Sequence, residues 1–102
     1  MTAVEFWPDY GGALLWDERG EPVPIDQLPL PPELVTRAAR WVAEYDDAKL
    51  PWEPTGDEAW LAVGRRLFGE LRRELLARGL ELEPNEPFWA EPDETSPPDR
   101  AG

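Results

Sequence analysis

The side chains in this sequence best placed to do chemistry are carboxylates set beside aromatic rings. Asp9 lies between Trp7 and Tyr10, Asp17 and Glu18 follow Trp16, and Glu44, Asp46 and Asp47 surround Tyr45. Paired carboxylates can exchange protons or hold a divalent cation, and "YDD" (Tyr45 to Asp47) is the best local candidate for either role. Adjacent aspartates at a helix C-terminus oppose the helix dipole, however, and such a pair more often makes a turn. The chain has no histidine and no cysteine, which removes imidazole bases, thiolate nucleophiles, disulfides and the usual zinc and copper ligands together. Serine occurs only at Ser96, so no serine nucleophile is expected in the folded part. The glycines at 11, 12 and 20 do not form a phosphate-cradling loop between a strand and a helix. The chain is therefore expected not to be an enzyme, with no catalytic, cofactor-binding or metal-ligating residue assigned.

Acid beside aromatic suits recognition better than catalysis. Rings supply contact area and cation–π attraction, while carboxylates supply steering and paired hydrogen bonds to arginine or lysine. On this reading Asp9, Tyr10, Asp17, Glu44, Asp46 and Asp47 are the expected contacts with a basic protein partner. A plainer reading stays open, in which the acids only keep the protein dispersed and Trp7 and Trp16 cover the rim of a thin core. The formal net charge of −12 opposes contact with nucleic acid or an anionic membrane surface. Charge is also unevenly placed. Residues 1 to 60 carry a net −9, residues 61 to 80 a net +3 from Arg65, Arg66, Arg72, Arg73 and Arg78, and residues 81 to 102 a net −6. No stretch approaches the ~20 apolar residues of a spanning helix, and a cytoplasmic location is expected. One lysine against nine arginines is a composition typical of a GC-rich bacterial genome.

The elements that must position these groups can be read from pattern. "AVEFW" (Ala3 to Trp7) and "ALLWD" (Ala13 to Asp17) read as antiparallel strands, with Phe6 and Leu14 facing inward. Asp9, Gly11 and Gly12 supply the turn between them. "PVPI" (Pro22 to Ile25) can serve only as an edge strand, since proline cannot donate to a ladder. A first helix opens near Pro31 or Pro32, with Leu34, Ala38, Trp41, Val42 and Tyr45 on one face. "TGDE" (Thr55 to Glu58) reads as a capping box opening a second helix, whose stripe is Trp60, Val63, Leu67, Leu71 and Leu75, widened by Leu61, Phe68 and Leu76. Gly79 falls where a C-terminal cap belongs. "LELEP" (Leu80 to Pro84) alternates as a strand with Leu80 and Leu82 facing the helices. The expected fold is α+β: a small antiparallel sheet, the N-terminal hairpin plus a C-terminal strand, packed against two helices. Residues 1–84 form its single domain, and 85–102 an acidic, proline-rich tail expected to be disordered, with only Phe88 and Trp89 able to anchor it.

One longer pattern runs through "WPDYGGALLWDERGEPVPIDQLPLPPELVTRAARWVAEYDD" and continues in "GRRLFGELRREL". Across residues 3 to 83 it resembles a set of small bacterial proteins, found especially in actinobacteria, whose members look like immunity proteins of polymorphic toxin systems. The sequence departs from that set at Gly12, where a small residue or cysteine is expected, and in "LPWEPTGDEAW", which is shorter than the usual loop. The resemblance implies an inhibitor that occludes a basic toxin, such as a nuclease, through its acidic, aromatic-rich surface. The alternative is a non-catalytic interaction or oligomerising regulatory module, in which the arginine-bearing second helix meets the acidic surface of another copy. A carboxylate-based or metal-dependent enzyme is a third reading, which predicts stabilisation by calcium or magnesium.

Overall fold

The structure is a computed structural model that describes residues 2–90. Its chain order is β1 (Thr2–Phe6), β2 (Leu15–Trp16), β3 (Pro22–Val23), α1 (Pro32–Ala43), α2 (Glu58–Leu76) and β4 (Leu80–Pro84), with short 3-10 turns at Ile25–Gln27, Asp47–Lys49 and Pro87–Ala90. The strands form one sheet in the order β3-β2-β1-β4, so the proline-bearing β3 is an edge, as its missing donors require. This is an α+β fold with a small sheet. The sheet is mixed, however, because β4 pairs with β1 in parallel, Val4 opposite Leu82 and Glu5 opposite Glu83. The expectation of a wholly antiparallel sheet is corrected there. The connection from β1 to β4 carries both helices, and a crossover of that length can return the chain in the same direction.

Alternation sorts the strands. Val4, Phe6, Leu15 and Leu82 are buried against the helices, while Glu5, Glu81 and Glu83 are exposed. Pro32 opens α1 in its first turn, where its absent N–H costs nothing. The start of α2 differs from the expected capping box. Asp57 is the cap, accepting from the Trp60 amide at 3.0 Å, and the Thr55 hydroxyl instead donates to the Ala48 carbonyl at 2.7 Å. Both residues can cap a helix, and Thr55 is drawn away by the preceding turn. Gly79, with φ 83°, supplies the left-handed backbone that lets the chain leave α2 for β4.

The core is aromatic at its centre. The Trp41 and Trp60 rings stack at 4.3 Å and 11°, and each indole donates to the other's backbone carbonyl, at 2.9 and 3.3 Å. Trp89 stands edge-on to both, and Phe6 packs on Trp41, Phe68 and Trp89. The compact unit therefore extends past the expected boundary at residue 84, because Trp89 supplies a wall of this cluster and is fully buried. The remainder of the expected tail, residues 91–102, lies outside the described residues. Across the helix pair Arg37 bonds Glu70 through both terminal nitrogens, at 3.1 and 2.6 Å, and that pairing holds the Glu70 carboxyl below its ordinary range. Glu70 thus ties α2 to α1, while Arg66 and Arg73 of its own helix also favour its charged form. At the exit of α2, Glu74 pairs with Arg78 at 2.9 Å.

Candidate functional site

Two segments far apart in sequence meet at one edge of the molecule. In the first, Asp9 folds its own turn, its Oδ2 accepting from the Gly11 amide at 2.8 Å and its carbonyl from the Gly12 amide at 3.0 Å. Gly12 has φ 90°, which a residue with a side chain rarely adopts. The turn projects Tyr10 outward, 65% exposed. In the second segment α1 ends at Ala43 and the Asp46 carboxylate caps the next short turn, accepting from the Ala48 amide at 2.9 Å. The adjacent aspartates thus make a turn, as the helix-dipole argument anticipated.

The Tyr10 hydroxyl joins the two, accepting from the Asp47 amide at 2.9 Å and donating to Asp46 Oδ1 at 3.4 Å. The Tyr10 and Tyr45 rings meet edge-to-face at 4.8 Å, and the Tyr45 hydroxyl donates to Asp47 Oδ1. Tyr45 also reaches inward, its ring 6.0 Å from Trp60, so the core fixes the edge in place. In each of the three aspartates one oxygen is used to hold the local turn or a tyrosine. Among the described residues the other oxygen of each makes no hydrogen bond, and carboxylates fixed in this way can meet a cation with little further ordering cost. Tyr45 itself resists ionisation: burial raises its pKa first, then the bond to Asp47 and the negative charge of Asp47, Tyr10 and Asp9.

That shift gives a pH dependence. A folded-state pKa above the unfolded one contributes stability that is complete below the unfolded tyrosine value of about 10 and is lost as pH rises toward the folded value. Stability is therefore expected to fall above about pH 10, and Tyr45→Phe to lessen the fall, measured by urea denaturation at stepped pH. An unchanged alkaline slope in that variant would show that the tyrosine edge is not formed in solution.

Of the six expected contact residues, Asp9, Tyr10, Asp46 and Asp47 are brought together. Asp17 stands apart from them, its Oδ1 clamping the β2–β3 turn by accepting from the Arg19 and Glu21 amides at 2.8 and 3.0 Å. Those bonds, Glu21 first, lower its pKa. Glu44 lines a separate groove of about 430 Å³ between α1 and α2, with Arg40, Trp41, Asp57, Trp60 and Val63. Tyr45, expected on the apolar face of the first helix, lies just past its end at Ala43 yet still packs on Trp60, and so links the edge to the core. The sequence reading passed over Glu5 and Glu83, although "VEF" and "LELEP" both alternate acid outward. Among the described residues no helix is long and apolar enough to cross a membrane. No protein-family model matches this chain, and no curated protein or solved structure matches it significantly.

Proposed function

We propose that this chain is an immunity-type protein that binds and neutralises a basic toxin through the edge formed by Asp9, Tyr10, Tyr45, Asp46 and Asp47. The observation that supports this reading is the convergence of three aspartates and two tyrosines from segments thirty-six residues apart, Tyr10 to Asp46, with one carboxylate oxygen of each aspartate uncommitted among the described residues. A toxin that acts on a polyanion such as nucleic acid carries a cationic site, and an acidic surface can occupy it by presenting the charges of phosphate. Exposed tyrosine beside carboxylate is the composition of a binding hot spot for arginine. Steering between net charges of opposite sign makes association fast and salt-dependent.

The test begins with capture on the immobilised full-length chain from native cells at low and high salt, with bound proteins identified by mass. One basic protein is expected, weakened by salt, whose toxic activity the purified chain abolishes at equimolar ratio. Asp46→Asn with Asp47→Asn is then expected to slow association about tenfold while changing dissociation little, as removal of steering charges does. A captured protein whose activity is unaffected, or an association rate insensitive to both salt and substitution, would overturn the reading. A salt-sensitive dimer as the sole complex would favour the oligomerising alternative.

A further inference from the structure

The sheet packs against the helices on one face, and among the described residues its other face is uncovered, with Glu5, Glu81 and Glu83 exposed. In register across that uncovered face stand Pro22, Trp16, Glu5 and Glu83, one residue from each strand. We propose that this face receives an arginine-bearing segment of a basic partner, one guanidinium lying on the Trp16 indole and bonding the Glu5 and Glu83 carboxylates. The proposal rests on the preceding reading that the partner is basic, and it adds a second contact surface and the side chain that fills it.

Three features of the face carry the inference. Glu5 and Glu83 are directly opposite on neighbouring strands, about 4.8 Å apart in backbone spacing, where like charges destabilise a sheet. Neither they nor Glu81 has an ion pair or side-chain hydrogen bond among the described residues, so no such bond among those residues offsets the repulsion. Trp16 is only half-buried and is fixed by the bond from its Nε1 to the Trp7 carbonyl at 2.8 Å, which presents a rigid ring beside those carboxylates. The face is also hollow. Two adjoining depressions of about 480 and 280 Å³ share Glu5, Trp16 and Gly20. Small residues make the room, since Ala3 lines the larger one and a Cβ on Gly20 would meet nothing within 4 Å.

The smaller depression reaches Asp9, so the sheet face runs into the tyrosine edge as one surface. The larger one includes Asp17, which gives that residue a place facing the partner as well as its turn-clamping bonds. Arginine fits better than lysine because a planar guanidinium can stack on an indole while its N–H fork meets two carboxylates, which a compact ammonium cannot do. Arg19 also lines the larger depression, together with Glu5 and Glu83.

The test uses the isotope-labelled full chain with two probes, acetyl-hexa-arginine amide and its hexa-lysine counterpart, followed by amide shifts in NMR. Hexa-arginine is expected to shift Glu5, Glu83 and the Trp16 indole N–H and to bind more tightly than hexa-lysine. Glu5→Gln with Glu83→Gln is expected to weaken hexa-arginine about fivefold while raising Tm by about 2–4 °C, because the repulsion is relieved. The charge-matched variant Glu33→Gln with Glu53→Gln, away from the face, is expected to leave the affinity within about twofold, as diffuse charge contributes little at short range. Equal weakening by both variants, or hexa-lysine binding as tightly as hexa-arginine, would overturn the proposal. Shifts confined to Tyr10, Asp46 and Asp47, or no binding of either probe, would overturn it while leaving the immunity reading to its own test against the captured toxin. Conversely, a toxin that is not neutralised defeats the immunity reading even if hexa-arginine sits on the sheet.

Discussion

Gly64→Ala is expected to destabilise the fold by about 2–3 kcal/mol, while Gly69→Ala in the same helix is expected to stabilise it by about 0.5–1 kcal/mol. Alanine is intrinsically the better helix residue, so the intrinsic term favours both substitutions. What separates them is the space each Cβ meets. At Gly69 nothing lies within 4 Å, and only the gain in helix propensity remains. At Gly64 a Cβ would fall 2.3 Å from Trp41 Cζ2 and 2.7 Å from Trp89 Cζ3, closer than real carbon atoms approach. These rings cannot swing aside cheaply, because Trp41 is stacked on Trp60 and bonded to its carbonyl, while Trp89 is wedged against Phe6 and Trp41. Relief must come from separating the helices or forcing a ring off its rotamer, which is what overpacking costs. Urea or thermal denaturation of the two variants beside the parent chain decides it. A Gly64→Ala protein as stable as the parent would mean that α1 and α2 do not cross as closely as the structure has them.

That glycine also explains where the sequence pattern of α2 misleads. Periodicity places Val63 on the buried stripe, yet Val63 is 38% exposed and Gly64 lies inward against the indoles. A hydrophobic pattern scores side chains, so a position that is buried because it lacks one gives no signal. Leu76, expected to widen the stripe, is 54% exposed while its neighbour Leu75 is fully buried, so it stands at the rim of the stripe beside Glu81 and Glu83. Element existence was legible because it depends on local features: Pro32 in the first turn, the 3.6-residue spacing, Gly79 at the exit. Partner choice between strands was not, since "LELEP" alternates identically whether it pairs parallel or antiparallel. Neither was the Thr55 or Asp57 choice, because both are good caps and only the tertiary bond from Thr55 to Ala48 separates them.

The candidate edge was legible as composition but not as a place. Asp9 with Tyr10 and Asp46 with Asp47 each stand out as acid beside ring. That the Tyr10 hydroxyl bridges to both aspartates depends on how the β1–β2 turn sits over the end of α1. Asp17 and Glu44 look alike in sequence to the residues that converge, yet one clamps a turn and the other lines a groove between helices. The exposed acids of β1 and β4 acquire meaning only through the parallel register that sets Glu5 opposite Glu83.

The largest effect of a single truncation should come from Trp89, in the segment whose composition reads as tail. Trp89→Ala is expected to cost about 3–5 kcal/mol, within the range for removing a buried large aromatic side chain. Trp52→Ala is expected to stay within about 0.5 kcal/mol. Both residues lie among prolines and acids, and windowed composition cannot tell them apart. Position in the fold does: Trp89 is 0% exposed and touches Phe6, Trp41, Trp60 and Phe88, whereas Trp52 is 56% exposed and meets Phe88 alone among the aromatic rings. Removing Trp89 opens a cavity against the very rings that hold Tyr45, since Tyr45 packs on Trp60. The loss should therefore reach the tyrosine edge as well as the global stability. In Trp89→Ala the Tyr10 and Tyr45 ring resonances are expected to lose their separate shifts under conditions where the parent keeps them, while Trp52→Ala leaves them in place. A Trp89→Ala protein that melts with the parent would return the domain boundary to residue 84 and detach the edge from the core that is held here to preorganise it.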